Sequence, residues 1–216
     1  DLVTITIGGN DAGFADVLGF CWKHHNCHKI RSGTNGTYAD QVAAQVEGVR
    51  PGVRAVYEQL EVQASNAVIV VLGYPQLFPE SKQERTCTKL RQHSFVVVRR
   101  ADGLTRPIVN RISQGYSIDE QQMFRDSAAR LNAILAEEVE RIGSPRVQFV
   151  PVSGHFAGHE VCGKDGEWIN GPTAAVQYEL RNDQSFHPTA VGQAEYARCV
   201  NAVFLSAGRA CKPLTF

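Results

Sequence analysis

Gly8-Gly9-Asn10-Asp11 and His187-Pro188 are the stretches of this 216-residue chain whose side chains can do chemistry. An asparagine amide held at a tight turn can donate a hydrogen bond to an oxygen on which negative charge develops. A neutral imidazole can take the proton of a hydroxyl nucleophile and return it to a leaving alcohol. Each has a simpler alternative: Asn10 and Asp11 as caps of a following helix, His187 as an exposed loop histidine. His155 and His159, in a glycine-rich loop, read as structural or rim residues. Cys21, His24, His25, Cys27 and His28 form a third group of potential ligands. Their spacing fits no common structural zinc pattern, so neither a metal nor another cofactor is expected.

These residues need elements to position them. Val3, Ile5 and Ile7 alternate with Thr4 and Thr6, which reads as a strand ending in two glycines. Polar groups at the carboxyl end of a strand lie where open α/β sheets bind ligands. Phe14 to Phe20 reads as a short helix and Cys21 to Thr37 as a loop. Tyr38 to Ala64 has helical apolar spacing interrupted at Arg50-Pro51-Gly52, which predicts a kink or two successive helices. Ala67 to Leu72 is an apolar run suited to a strand covered on both faces. Gly73-Tyr74-Pro75 ends it at the same sheet edge as Gly8-Gly9, where Tyr74 either touches substrate or packs as a rim aromatic.

Pro79 to Tyr116, including a possible strand at Ser94 to Val98, reads as an insertion over that edge or as a peripheral hairpin. Ser117-Ile118-Asp119-Glu120 is a capping-box pattern. The helix after it carries Phe124, Ala128, Leu131, Leu135, Val139 and Ile142 on one face and stops at Gly143. Arg146 to Val150 reads as a strand and Pro151 to Phe186 as a long loop. Pro188 opens a last helix with Ala190, Ala194, Ala197 and Val200 toward the core. Alternating strands and helices predict a parallel sheet in a three-layer α/β/α sandwich.

Composition narrows the classes. Lys plus Arg and Asp plus Glu both number 22, so nothing in the charge favours nucleic acid or an acidic membrane surface. No apolar run is long enough to span a bilayer. The length suits one domain. Six cysteines, an even number, permit full pairing in an oxidising compartment.

Gly8-Gly9-Asn10-Asp11 resembles the GGND block of the SGNH, or GDSL-type, hydrolases. The strand before it and Ala12 to Leu18 after it look like the secreted actinobacterial lipase and esterase branch. Phe186-His187-Pro188-Thr189-Ala190-Val191-Gly192 is similar to that family's His-Pro block. The resemblance implies a flavodoxin-like parallel sheet and a secreted ester hydrolase acting on lipids or other acyl esters through a serine acyl-enzyme. It implies His187 as acid and base, and Asn10, on the Gly8-Gly9 turn, as oxyanion donor. It also implies three disulfides, Cys21–Cys27, Cys87–Cys162 and Cys199–Cys211. The family has an aspartate three residues before this histidine, where Gln184 stands here. Either Asp183 or a backbone carbonyl is then expected to orient the ring.

The family's Gly-Asp-Ser block should precede GGND, yet only Asp1 and Leu2 lie upstream of the strand. No Gly-Asp-Ser occurs in the chain. The expectation is that 1–216 is the C-terminal portion of one hydrolase domain, supplying the third, fourth and fifth strands. The first strands and the serine would then belong to an N-terminal segment or a separate chain. A non-catalytic SGNH-like module lacking the serine is the alternative, and a metal-binding domain at Cys21 to His28 a weaker one.

Overall fold

The computed structural model describes residues 1–33, 36–82, 84–96, 110–172 and 184–205. Asp183 and Cys211 lie outside them. The elements in chain order are β1 (Leu2–Ile5), α1 (Phe14–Lys23), β2 (Arg31–Ser32), β3 (Gly36–Thr37), α2 (Tyr38–Gly48) and α3 (Arg50–Gln63). There follow β4 (Val68–Leu72), β5 (Arg91–Val96), β6 (Asn110–Gly115), α4 (Ile118–Ile142), β7 (Val147–Val150) and α5 (Ala190–Leu205).

β1, β4 and β7 form one parallel sheet in that order, with Val3 opposite Ile69 and Ile69 opposite Val147. β4 is central among the described strands, and its alternate residues feed two cores. Ile69 and Val71 pack with Val53 and Tyr57 of α3 and Leu131, Ile134 and Leu135 of α4. Val70 and Leu72 pack with Leu18 and Trp22 of α1 and Cys199 and Val200 of α5. Helices on both faces make the three-layer α/β/α sandwich that the apolar β4 run requires. β1 pairs on one side with β4, and its other edge meets no strand among the described residues. Leu2 and Thr4 are exposed there.

α4 starts with the capping box read from its sequence. Ser117 Oγ accepts the Glu120 N–H, and the Glu120 carboxylate accepts the Ser117 N–H. Glu120 is fully buried because its other oxygen accepts the Cys27 N–H at 2.6 Å, which ties the disulfide loop to this helix. The interrupted pattern from Tyr38 resolves into α2 and α3, joined at Val49 with Pro51 in the first turn of α3.

Several elements differ from their sequence reading. α1 runs to Lys23, not Phe20, because Cys21 and Trp22 continue its buried face. Its N-cap is Gly13, with no side-chain capping bond, so Asn10 and Asp11 do not cap it. Cys21 to Thr37 is not all loop, since β2 and β3 form a short antiparallel ladder. α5 begins at Ala190, and its buried face is Gly192, Cys199, Val200 and Val203, while Ala190, Ala194 and Ala197 are exposed. β5 and β6 form an antiparallel hairpin that packs beside α1. Residues 97 and 98 of the predicted strand fall outside the described residues.

Glu138 of α4 has no exposed surface, yet its carboxylate is anchored by two arginines of α3. Arg50 Nη1 donates to it at 2.9 Å and Arg54 Nε at 2.7 Å. The Arg54 hydrogen bond leads the effects that hold its pKa at about 2, below the ordinary 4.5. A depressed carboxylate pKa contributes stability that is complete above about pH 4.5 and is lost as the pH falls toward 2. Glu138→Gln leaves two arginines facing a neutral group and is expected to cost roughly 3 kcal/mol at pH 7. The difference from wild type should shrink on acidification from pH 5 to 3. Thermal unfolding of both forms across that range measures it, and a pH-independent difference contradicts the assignment.

Candidate active site

The turn after β1 is built by its own backbone. Ala12 N–H bonds to Gly8 C=O at 2.9 Å, Gly13 N–H to Asn10 C=O at 2.9 Å and Phe14 N–H to Gly9 C=O at 3.1 Å. Gly8 has φ +97°, and a side chain on it would press against Leu131 and Val53. A glycine is therefore needed there on two counts. Gly8 and Gly9 are buried, while Asn10 and Asp11 stand exposed at the apex.

His187 reaches the same place from a segment braced by the long loop before it. Ile169 and Pro188 form an antiparallel bridge. Around it, Asn170 N–H donates to His187 C=O at 2.9 Å, Phe186 N–H to Asn170 C=O at 3.1 Å, and Thr189 N–H to Trp168 C=O at 2.8 Å. Gly192 completes the brace, because a Cβ there would collide with the Trp168 carbonyl oxygen. Phe186 is buried against Phe78 and Tyr116 with φ +61°, a left-handed backbone that a bulky residue adopts only when its surroundings enforce it. The long loop itself is tethered by the Cys87–Cys162 disulfide and by Lys89 donating to Glu167 at 2.6 Å.

His187 is exposed, and its Nδ1 lies 3.1 Å from the Ser185 carbonyl oxygen. A carbonyl can only accept, so this bond puts the proton on Nδ1 and leaves Nε2 with a free lone pair. That is the tautomer a general base needs. Asp183, the other candidate for orienting the ring, is outside the described residues.

Asn10 and His187 line one cleft of about 700 Å³. Thr4 and Thr6 border it from the β1 segment, and Phe14, Leu18, Leu72 and Val200 give it apolar walls. Tyr74 also lines it, and its hydroxyl accepts the Gly9 N–H at 3.0 Å. None of residues 79–82, 85–90, 115 and 116 is among the lining residues.

His155, His159, His24 and His28 are not among the lining residues. His155 is buried, its Nε2 2.6 Å from Glu195 and 2.9 Å from Arg198, joining the loop to α5. His159 stacks on Trp168 with ring centres 3.5 Å apart. Cys21 and Cys27 are joined in a disulfide, so their sulfurs are not thiolate ligands. His24 bonds to the Phe20 carbonyl and His28 approaches Asp119, and among the described residues the group of potential ligand atoms that lie together there is Cys21, Cys27 and Glu120, with no histidine. Cys199 is disulfide-bonded and buried, and its expected partner Cys211 is outside the described residues.

The sequence missed the brace formed by Trp168, Ile169 and Asn170. The isoleucine is a buried apolar residue in a glycine-rich loop, but its pairing with Pro188 has no local signal. A backbone carbonyl was one of the two expected ways of orienting the ring, but which residue supplies it was unreadable, because a main-chain acceptor has no residue type.

No family model matches the chain. It is 29% identical to a lipase of Streptomyces rimosus over 197 residues, which cover 90% of this chain and 57% of that protein. It is 31% identical to lipase 1 of Streptomyces coelicolor over 194 residues, covering 89% and 56%. Among solved structures it resembles the extracellular lipase from Streptomyces rimosus, with TM-score 0.55 and 26% identity, covering 94% of this chain and 68% of that one. It also resembles phospholipase A1 from Streptomyces albidoflavus, with TM-score 0.54 and 26% identity, covering 90% and 64%. The fold is the α/β fold of these lipases. The chain spans a little over half the length of the curated relatives it matches.

Proposed function

We propose that these residues belong to a secreted SGNH-type carboxylic-ester hydrolase that cleaves lipid esters through a serine acyl-enzyme. His187 is the acid and base and Asn10 an oxyanion donor, while the serine comes from a part of the domain outside residues 1–216. The observation that carries this reading is the convergence of Asn10 and His187 on one apolar cleft, with the His187 Nδ1 satisfied by the Ser185 carbonyl.

The mechanism follows from these groups. The free Nε2 of His187 takes the proton of the serine hydroxyl as it attacks the ester carbonyl. The Asn10 amide donates to the carbonyl oxygen as it becomes an oxyanion. The imidazolium then protonates the departing alcohol. Water, deprotonated by the same ring, attacks the acyl-serine, and the ring returns that proton to the serine oxygen as the acid departs. The Ser185 carbonyl keeps the ring aligned through the Nδ1–H bond.

The cleft runs beside the open edge of β1, which is where a neighbouring strand bearing the serine would lie. An exposed strand edge favours an added strand on this side, since such edges otherwise promote association. Lipid esters are the proposed substrates because the related chains are named lipase and phospholipase A1 and the cleft walls are apolar. Disulfides and the name of the extracellular relative favour secretion.

Residues 1–216 expressed alone should be poorly soluble and inactive on nitrophenyl esters. Co-expression with the sequence encoded upstream of Asp1, fused or separate, should restore both. Wild-type-like hydrolysis by 1–216 alone contradicts the shared site. No hydrolysis by the complete protein favours the non-catalytic module instead.

A further inference from the structure

Gly9 sits directly before the asparagine of the turn, and both of its backbone groups are engaged. Its carbonyl accepts the Phe14 N–H at 3.1 Å. Its amide donates to the Tyr74 hydroxyl at 3.0 Å, a contact spanning 65 residues of sequence. A Cβ on Gly9 would lie 3.0 Å from the Tyr74 hydroxyl oxygen and 3.1 Å from ring carbon Cζ. The phenol therefore packs directly against this glycine.

Tyr74 is itself held from behind. The Asn132 side-chain amide, on α4, accepts the Tyr74 N–H at 2.7 Å and donates to the Tyr74 C=O at 2.8 Å. Tyr196 of α5 donates to the carbonyl of the preceding Gly73 at 3.2 Å. The end of β4 is thus pinned by helices from both layers of the sandwich. Burial raises the Tyr74 pKa, so the group facing Gly9 at neutral pH is a phenol. Asn10, by contrast, is exposed, and its direction comes mainly from the backbone it is attached to.

We propose that Tyr74 is a positioning residue. Its hydroxyl, by accepting the Gly9 amide hydrogen, locks the turn and with it the direction of the Asn10 amide. The chain of contacts runs from Asn132 in α4 through the Tyr74 main chain and ring to Gly9 and then to Asn10. An oxyanion donor acts through preorganisation, so a turn free to rotate loses rate even when the asparagine is present. This rests on the reading of Asn10 as the oxyanion donor.

The test is Tyr74→Phe in the complete hydrolase, alone and combined with Asn10→Ala. The ring and its packing remain, and only the acceptor for Gly9 is lost. Tyr74→Phe should lower kcat by about ten- to a hundredfold with KM changed by less than about threefold. The double variant should lose no more than Asn10→Ala alone, because Tyr74 acts through Asn10. Hydrogen exchange of the segment carrying Gly9 should also speed up in Tyr74→Phe. Losses that multiply in the double variant, or a change confined to KM, overturn the proposal and make Tyr74 a substrate contact. Unchanged kcat with Asn10→Ala strongly impaired overturns it while leaving the active-site reading intact. Unchanged kcat in Asn10→Ala itself removes that reading and the proposal together, whereas unaltered Gly9 exchange in Tyr74→Phe removes the proposal alone.

Discussion

His187→Ala in the complete hydrolase should lower ester turnover by about 10²–10⁴-fold, the usual contribution of a positioned acid and base. The fold should survive. The ring is exposed, and the residue's structural bonds are main-chain ones: His187 N–H to Gln184 C=O and Asn170 N–H to His187 C=O. Alanine keeps both. Among the described residues, the side-chain bond lost is that from Nδ1 to Ser185 C=O. Nitrophenyl ester kinetics and thermal unfolding of the same preparation separate the two effects. Turnover near wild type would contradict the assignment, and an unfolded variant would mean that the ring is part of the brace.

Asn10→Ala should lower kcat by about 10²–10³-fold, or roughly 2.7–4 kcal/mol, with KM little affected. The donor strengthens its bond as charge moves onto the ester oxygen, so its loss falls on the transition state. Nothing in the fold resists the substitution, because Asn10 is exposed at the apex and α1 is capped by Gly13. The turn keeps its three main-chain bonds. A change limited to KM would make Asn10 an ordinary turn residue.

What could be read from the sequence was local. The capping box of Ser117 and Glu120, the apolar run of β4 and the break at Pro51 each carry their signal within a few residues. Gly8 and Gly9 were legible as a turn because a positive φ and a close approach both select glycine. α1 was read too short because Lys23, His24 and His25 mask the burial of Cys21 and Trp22 just before them. The alanines of α5 misled for a different reason. A small side chain fits either face, and the decisive contact was Gly192 against Trp168.

The site was legible in its residue types but not in its support. Tyr74 and Gly9, Asn170 and His187, and Ser185 and the His187 ring meet through main-chain groups, which every residue type offers alike. The resemblance supplied His187 and Asn10, whereas the bonds that hold them were found only in the folded chain. Asp183 and the Cys199–Cys211 pair rest on residues outside those described, and among the described residues the acceptor beside the His187 Nδ1 is the carbonyl of Ser185.

Where a serine-reactive fluorophosphonate attaches tests the central claim most directly. The account predicts that residues 1–216 alone remain unlabelled. The complete hydrolase should be labelled on one serine encoded upstream of Asp1, with labelling suppressed by His187→Ala. Ser153 and Ser185 lie in the loops before His187, and neither sits on the strand-to-helix turn that presents a nucleophile. A label on either, or on any serine within 1–216, would contradict an active site shared with a segment outside these residues.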